Sequence, residues 1–206
     1  MDVTKRSWNG IWLASLLLVF IAAPVPSLSD EALEPIKVPA VAPANPQPDA
    51  AALNDGLAVR YYFARFTHID NLEAWINTDD GIAGTPLPNL DYQMGAGNVL
   101  TTTSADLVGA HITGFIEFAK EGVYELKITS NDGVRLTLGD QMVFEDPEIH
   151  ADTASPPLVV TITMPGWYPL DILYYEKKGS AALKLHWKTP GASGFTVVPT
   201  TALKHT

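Results

Sequence analysis

Apolar and polar residues alternate with a period of two in several segments, and this pattern constrains the fold most strongly. In residues 123–128, three apolar side chains alternate with Glu125 and Lys127. The same alternation recurs in residues 134–138, 158–164, 168–174 and 181–188. Successive side chains of a β-strand point to opposite faces of the sheet, so these segments are predicted to be half-buried strands.

Reverse-turn sequences separate the predicted strands. They are Lys120-Glu121-Gly122, Asn131-Asp132-Gly133, Gly139-Asp140, Pro165-Gly166, Lys178-Gly179-Ser180 and Pro190-Gly191. The single helix that we predict is short, covers residues 70–76 and is capped by Asp70 or Asn71. Short strands joined by reverse turns predict an all-β domain over residues 56–206, an antiparallel β-sandwich or jelly-roll-like barrel.

The amino-terminal residues have the pattern of a secretory signal. Lys5 and Arg6 precede an apolar run over residues 11–23, which is shorter than the roughly 20 residues of a membrane-spanning helix. Ser27 and Ser29 are small residues at the positions that a signal peptidase reads, so we expect cleavage before Asp30. The alternative is an uncleaved membrane anchor. Both predict that the chain is exported, to the periplasm, the cell surface or the medium.

Residues 30–55 are predicted to be a spacer rich in proline and alanine. Seven prolines lie in residues 24–50: Pro24, Pro26, Pro35, Pro39, Pro43, Pro46 and Pro48. Proline fixes φ and removes a hydrogen-bond donor, so such a run favours extended polyproline conformations. It is either a semi-rigid stalk for the domain or a dispensable leader.

Composition excludes several classes of function. The chain has 23 acidic and 13 basic residues, a formal net charge of −10, and no cysteine. An acidic surface repels phosphate backbones and anionic lipid, which argues against binding to nucleic acid or membrane surfaces. The lack of cysteine excludes disulfides, thiolate zinc sites, iron–sulfur clusters and cysteine nucleophiles.

Short motifs follow one another in a specific order between Gly56 and the carboxyl terminus. They are Gly122-Val123-Tyr124-Glu125-Leu126, Ser130-Asn131-Asp132-Gly133-Val134-Arg135-Leu136, Pro165-Gly166-Trp167-Tyr168 and Gly179-Ser180-Ala181-Ala182-Leu183. In this order and spacing they resemble the anthrax protective-antigen domain family, PA14, over about residues 56–204. The resemblance implies a β-sandwich module of adhesins, glycosidases, glycosyltransferases and toxins, which usually binds carbohydrate or another protein.

The same resemblance implies a calcium site. In adhesin members of the family, two adjacent aspartates joined by a cis peptide hold a calcium ion that coordinates sugar hydroxyls. The matching positions in this chain are Asn131 and Asp132. The asparagine removes one negative charge, and calcium affinity follows the number of charged oxygen ligands. Two interpretations stay open: a loop that contacts calcium or ligand, or a tight turn between two strands in which Gly133 supplies a positive φ.

A second candidate segment lies at residues 146–152. Asp146, Glu148, His150 and Asp152 occupy alternate positions, so in an extended segment they would face one side and could contact a common ligand or cation. Asp146 and His150 are our candidate ligand-binding residues here. The alternative is an ordinary solvated loop.

The sequence shows no apparatus for nucleophilic or metal-assisted catalysis. The five histidines lack metal-binding spacing, and no serine lies in a nucleophile motif. The adjacent Asp79 and Asp80 are predicted to form a turn, because paired catalytic carboxylates must face each other across a substrate. Aromatic residues could stack on sugar rings, but we expect most of them in the core and one or two exposed at most.

These observations predict an exported, non-catalytic binding module. The favoured partner is a glycan or cell-surface polysaccharide, bound through loops at one end of the sandwich and assisted by calcium. Its polar centre would be Asn131 and Asp132, with residues 146–152 shaping the rim. Two alternatives are a structural or assembly module that recognises a protein of the cell envelope, and an accessory domain detached from a glycosidase.

Overall fold

The computed structural model describes Met1 and residues 33–206. The predicted signal peptide or anchor, apart from Met1, and the first residues of the predicted spacer lie outside the described residues. Leu33–Thr206 forms one unit in which two β-sheets pack face to face. The prediction of an all-β sandwich with mainly antiparallel strands is therefore confirmed.

Fifteen strands are described in this unit. In chain order they are β1 (Ile36–Lys37), β2 (Asn54–Asp55), β3 (Ala58–Phe63), β4 (Ile82–Ala83), β5 (Asp91–Gly95), β6 (Val108–Phe118), β7 (Gly122–Ser130), β8 (Val134–Leu138), β9 (Gln141–Asp146), β10 (Thr153–Ala154), β11 (Leu158–Ile162), β12 (Gly166–Glu176), β13 (Ala181–Lys188), β14 (Thr196–Val197) and β15 (Leu203–His205). One α-helix, α1 (Ile69–Ile76), and two short 3₁₀ helices, Ala50–Ala52 and Thr200–Ala202, complete the description.

The two sheets have different strand orders. The first contains β1-β11-β7-β13-β14, with β10 also paired to β7 and β5 to β13. The second contains β2-β15-β6-β12-β8-β9, with β3 paired to β6 and β4 to β3. All pairs are antiparallel except β1 with β11. Strands β7 and β8 are consecutive in the chain but belong to opposite sheets, so the residues between them cross one end of the sandwich.

The core lies between the sheets and follows the alternation of the sequence. In β7, Leu126 and Ile128 are buried while Glu125 and Lys127 are half-buried on the other face. Apolar side chains from β6, β8, β11, β12 and β13 complete the same cluster. Burial of this surface is the main favourable contribution to stability, at about 25 cal/mol per Å² of apolar area.

Helix α1 covers part of the outer face of the second sheet. Tyr62 and Tyr175 point away from the core, yet they are 4% and 0% exposed because they pack under the helix with Phe66 and Leu72. The outward-facing tyrosine of each adjacent pair is therefore covered by the helix rather than exposed to solvent.

The predicted helix cap is also wrong. The N-cap is His68, whose Nδ1 accepts a hydrogen bond from the Asp70 N–H at 3.2 Å. The helix begins one residue earlier than predicted because Ile69 is buried against the sheet.

The proline-rich segment is packed on the sandwich. The N–H groups of Ile36 and Val38 donate to the carbonyls of Pro157 and Val159, and Val41 is 9% exposed. Residues 33–55 thus belong to the same unit as the domain, whereas the sequence suggested a boundary at residue 56. The extended conformation favoured by proline is retained, and the non-proline N–H groups between the prolines supply the hydrogen bonds.

Candidate functional site

Residues 131–133 form the crossing between the two sheets. Asp132 has a φ of +62°, and the peptide that joins it to Asn131 is trans, since the cis peptide among the described residues is Asn45–Pro46. Gly133 does not supply the positive φ. It is needed because an added Cβ would lie 2.3 Å from the ring of Tyr175 and 2.8 Å from the Pro147 carbonyl oxygen. The prediction that Gly133 supplies a positive φ is therefore wrong, and the two strands that residues 131–133 join, β7 and β8, lie in opposite sheets.

Asp132 is held from two sides and is 2% exposed. Its backbone N–H donates to the His150 carbonyl at 3.0 Å. Its carboxylate Oδ2 accepts a hydrogen bond from the Lys177 N–H at 2.7 Å. The crossing, the 146–152 loop and the loop after β12 therefore meet at this one aspartate.

Asn131 is held by strand β13 and by the 146–152 loop. Its N–H donates to the Ala182 carbonyl at 3.0 Å, and its Nδ2 donates to Asp152 Oδ1 at 2.7 Å. The other oxygen of Asp152 accepts a hydrogen bond from Gln93 Nε2 at 2.7 Å. These two side-chain hydrogen bonds, that of Asn131 first, lower the pKa of Asp152.

The side chains of the 146–152 loop make two separate sets of contacts. Asp152 contacts Asn131, whereas His150 Nε2 lies 3.4 Å from Asp146 Oδ2 and its Nδ1 contacts the Ala151 carbonyl at 2.8 Å. Glu148 is exposed. The structure thus places Asp146 and His150 together, and Asp152 with Asn131, rather than aligning the four side chains toward one point.

Glu176 is a site residue that the sequence analysis missed. It is 0% exposed, and neither carboxylate oxygen has a hydrogen-bond partner among the described residues. Burial, and secondly the charge of Asp132, raise the pKa of Glu176 to about 8; the nearby N–H of Lys178 offsets part of this rise. A signal was present, because Glu176 continues the inward-facing series that runs through Ile172 and Tyr174.

A pocket of about 340 Å³ opens beside this cluster. It is lined by Arg65, Asp106, Leu107, Lys177 and Lys178. Lys177 connects the pocket to the crossing, because its N–H is the group that donates to Asp132.

An exposed aromatic side chain lies at the same end of the sandwich. Phe63 is 45% exposed and pairs with Val108 of β6, which in turn pairs with Glu176 of β12. Phe63 is therefore two strands from Glu176. Of the tryptophans and tyrosines expected as sugar platforms, Trp75 is exposed; it lies on α1 with its ring 6.0 Å from that of Phe66.

Comparison with known proteins identifies the family. A family model described as "PA14 domain" matches residues 53–201. The chain belongs to the PA14 domain family. No curated protein sequence matches it.

Solved structures that share the fold include two PA14 domains. One is the PA14 domain of the MpAFP antifreeze protein, with 19% identity, 77% of this chain and 93% of that chain covered, and a TM-score of 0.62. Another is described as the PA14 sugar-binding domain from an RTX adhesin, with 18% identity, 74% and 99% covered, and a TM-score of 0.59. A third is the epithelial adhesin 9 A domain from Candida glabrata in complex with Galβ1-4GlcNAc, with 10% identity, 81% and 95% covered, and a TM-score of 0.60.

Two further findings concern metals and membranes. Within Met1 and residues 33–206, no three His, Cys, Asp or Glu side chains are grouped so that they could hold a metal ion. In the same residues of this PA14 domain, no helix is long and apolar enough to cross a membrane.

Proposed function

We propose that this PA14 domain is an exported, non-catalytic module that binds carbohydrate through the loops around Asn131 and Asp132. The observation that carries the proposal is the set of hydrogen bonds that joins these residues to His150, Asp152 and Lys177. Three loops are thereby held in one arrangement before any ligand arrives, which reduces the entropy lost on binding. The exposed ring of Phe63 at the same end suits the apolar face of a sugar.

The solved structures of similar fold support carbohydrate as the class of ligand. One PA14 domain of similar fold is described as sugar-binding, and an adhesin domain of similar fold is in complex with Galβ1-4GlcNAc. Their identity to this chain is 18% and 10%, so they support the class of ligand and leave the particular glycan to experiment.

Calcium is part of the proposal. Asn131 uses its Nδ2 on Asp152, which leaves its amide oxygen available, and Asp132 uses one carboxylate oxygen on Lys177. Calcium accepts amide, carboxylate and backbone carbonyl oxygens alike, so Asn131 and Asp132 could hold it together with backbone carbonyls. With one charged ligand, we expect weak binding, with a Kd of about 10⁻⁴ to 10⁻³ M.

The test is a glycan-array screen of residues 33–206 with calcium and again with chelator. We expect binding to a restricted set of glycans that weakens with chelator. Asp132→Asn should abolish binding of those glycans, although Oδ1 of the new side chain can still accept the hydrogen bond from the Lys177 N–H. Asp140→Asn is the control: Asp140 lies in an exposed turn at the opposite end of the sandwich, so this change should leave binding unchanged.

The outcomes separate the possible roles. A blank array on folded protein would contradict the carbohydrate proposal and favour assembly with a protein of the cell envelope. Binding that survives chelator but not Asp132→Asn would retain the site and reject calcium. Turnover of any bound glycan, lost in Asp132→Asn, would contradict the non-catalytic assignment.

A further inference from the structure

The pocket beside the Asn131–Asp132 crossing is built from three separate loops. Arg65 comes from the loop after β3, Asp106 and Leu107 from the residues before β6, and Lys177 and Lys178 from the loop after β12. Neither Asn131 nor Asp132 lines it. It is therefore a neighbouring compartment with its own chemistry, large enough for a single sugar residue or its substituent.

Hydrogen bonds between the loops hold the pocket in shape. The Leu107 N–H donates to the Lys177 carbonyl at 3.2 Å, and the Gly179 N–H donates to Asp106 Oδ1 at 2.8 Å. Leu107 has a φ of +60°, a left-handed conformation that is unfavourable for a non-glycine residue. Its side chain is 44% exposed, so this backbone conformation does not serve to bury the leucine in the core. Strain of this kind persists where the surrounding structure enforces it.

The charge of the pocket is opposite to that of the protein. The chain carries a formal net charge of −10, yet three of the five lining side chains are cationic. The ion pairs among the described residues involve other groups, and none uses Arg65, Lys177 or Lys178. The one lining carboxylate, Asp106, accepts the Gly179 N–H. The pocket thus presents an excess of positive charge without a described partner.

We propose that this pocket binds the acidic group of a charged saccharide, a uronate carboxylate or a sulfate ester. This inference rests on the proposed carbohydrate-binding function and names the class of glycan. Arginine donates two parallel hydrogen bonds to a planar or tetrahedral anion, and the two lysines add compact charges. The exposed side chain of Leu107 provides an apolar surface for the ring of the same sugar. The acidic remainder of the protein disfavours a long polyanion such as nucleic acid.

The test measures affinity by isothermal titration calorimetry for three probes on residues 33–206. The probes are an oligogalacturonate, a sulfated galactose disaccharide and the matching neutral disaccharide. At least one acidic probe should bind about tenfold or more tightly than the neutral one, since hydrogen bonds to a charged group are stronger than those between neutral groups. Raising NaCl from about 50 to about 500 mM should remove most of this preference, because the pocket is open to solvent.

Variants locate the interaction. Lys178→Gln, and separately Arg65→Gln, should each reduce the preference for the acidic probe by about tenfold while leaving the neutral probe unchanged. Both keep the backbone groups that hold the loops. Lys120→Gln is the matched control, since Lys120 is exposed in the turn before β7, at the opposite end of that strand from Asn131.

The failure of this inference can be distinguished from that of the proposed function. Equal affinity for acidic and neutral probes, lost in Asp132→Asn, would overturn the binding of an acidic group in this cationic pocket and retain the carbohydrate site. No binding of any glycan on the array would overturn both. A preference for acidic probes that is unaffected in the Lys178 and Arg65 variants would also overturn the assignment to this pocket. A poly-glutamate peptide that binds as tightly as the uronate would overturn the saccharide class.

Discussion

Asn131 illustrates how one residue changes the chemistry of a loop. The family pattern that this chain resembles has an aspartate at this position, and the asparagine donates its Nδ2 to Asp152 at 2.7 Å. An aspartate there would place two carboxylates against each other, because Asp152 has no donor to offer. The hydrogen bond between Asn131 and Asp152 therefore holds the loop without a cation. Two carboxylates at these positions would repel each other and would need a cation between them.

We predict that Asn131→Asp destabilises the domain by about 1 kcal/mol in chelator at pH 7, because a charge-assisted hydrogen bond is replaced by repulsion at a partly exposed site. The free energy of unfolding would be measured by urea denaturation. The double variant with Asp152→Asn should regain most of the loss, since the donor and acceptor are then exchanged. Calcium should stabilise the single variant more than the wild type. Equal stability of the single variant and the wild type in chelator would refute this account of Asn131.

At the level of elements, residues 33–48 act as an edge segment of the sandwich. They pair with β11 through Ile36 and Val38, and Ala44 donates its N–H to the Trp167 carbonyl at 2.9 Å. Gln47 adds a two-way contact with β12: its Oε1 accepts the Trp167 N–H at 2.8 Å, and its Nε2 donates to the Trp167 carbonyl at 2.9 Å. These bonds cover backbone groups of β11 and β12 that would otherwise be open to another strand.

We predict that Gln47→Ala loosens this segment, because it removes three side-chain hydrogen bonds, the third to the Ala44 carbonyl. The expected loss is about 1 kcal/mol, since Gln47 is exposed and water replaces part of the interaction. Amide hydrogen exchange at Ala44 and Trp167 should become faster. Glu34→Ala, an exposed change in the same segment, is the control. Unchanged exchange at both amides would show that Gln47 does not hold the segment.

At the scale of the whole molecule, the buried carboxyl of Glu176 links stability to pH. Its pKa is raised from 4.5 to about 8 in the folded state, so the folded protein binds an extra proton between these values. The stabilisation is complete below pH 4.5 and is lost as the pH rises through about 8. Burial near Asp132 therefore makes the folded state less stable in alkaline solution than in mildly acidic solution.

We predict that Glu176→Gln removes this part of the pH dependence, because glutamine does not ionise. Relative to the wild type, the free energy of unfolding of the variant should rise by about 2 kcal/mol from pH 5 to pH 9. This value is set below the full effect of the raised pKa, in which each pKa unit would correspond to ~1.4 kcal/mol. Urea denaturation in chelator over this pH range measures the gain. Glu121→Gln is the control, since Glu121 is exposed and lies at the end of β7 that is remote from Asn131; this variant should show no such gain in free energy of unfolding. Parallel pH profiles for the wild type and Glu176→Gln would exclude Glu176 as the cause.

Strong alternation made the central strands predictable from the sequence. Strands β7, β8, β11, β12 and β13 lie where the period of two indicated them, because one face of each must enter the core. Short strands such as β2, β4 and β10 have two residues each and carry no period. Their pairing is decided by neighbours that are distant in sequence.

The candidate site was predictable in part. Asn131 and Asp132 could be selected from a resemblance in local motif, and both lie at one end of the sandwich. The partners that give them their geometry could not be selected, since Asp152, Lys177 and His150 reach them from other loops. Sequence spacing says nothing about which loops meet when consecutive strands lie in opposite sheets.

The sequence alone determined the class of the fold, the segments that form its core strands and the family resemblance, because alternation and turn residues are local properties. Only the tertiary structure decided which polar groups are buried and which charged side chains lie next to one another. Glu176 is buried, Tyr175 is covered by a helix about a hundred positions earlier in the chain, and Arg65 joins Lys177 and Lys178 in one pocket. Each of these follows from contacts between distant segments, whose free energy depends on the whole packed arrangement.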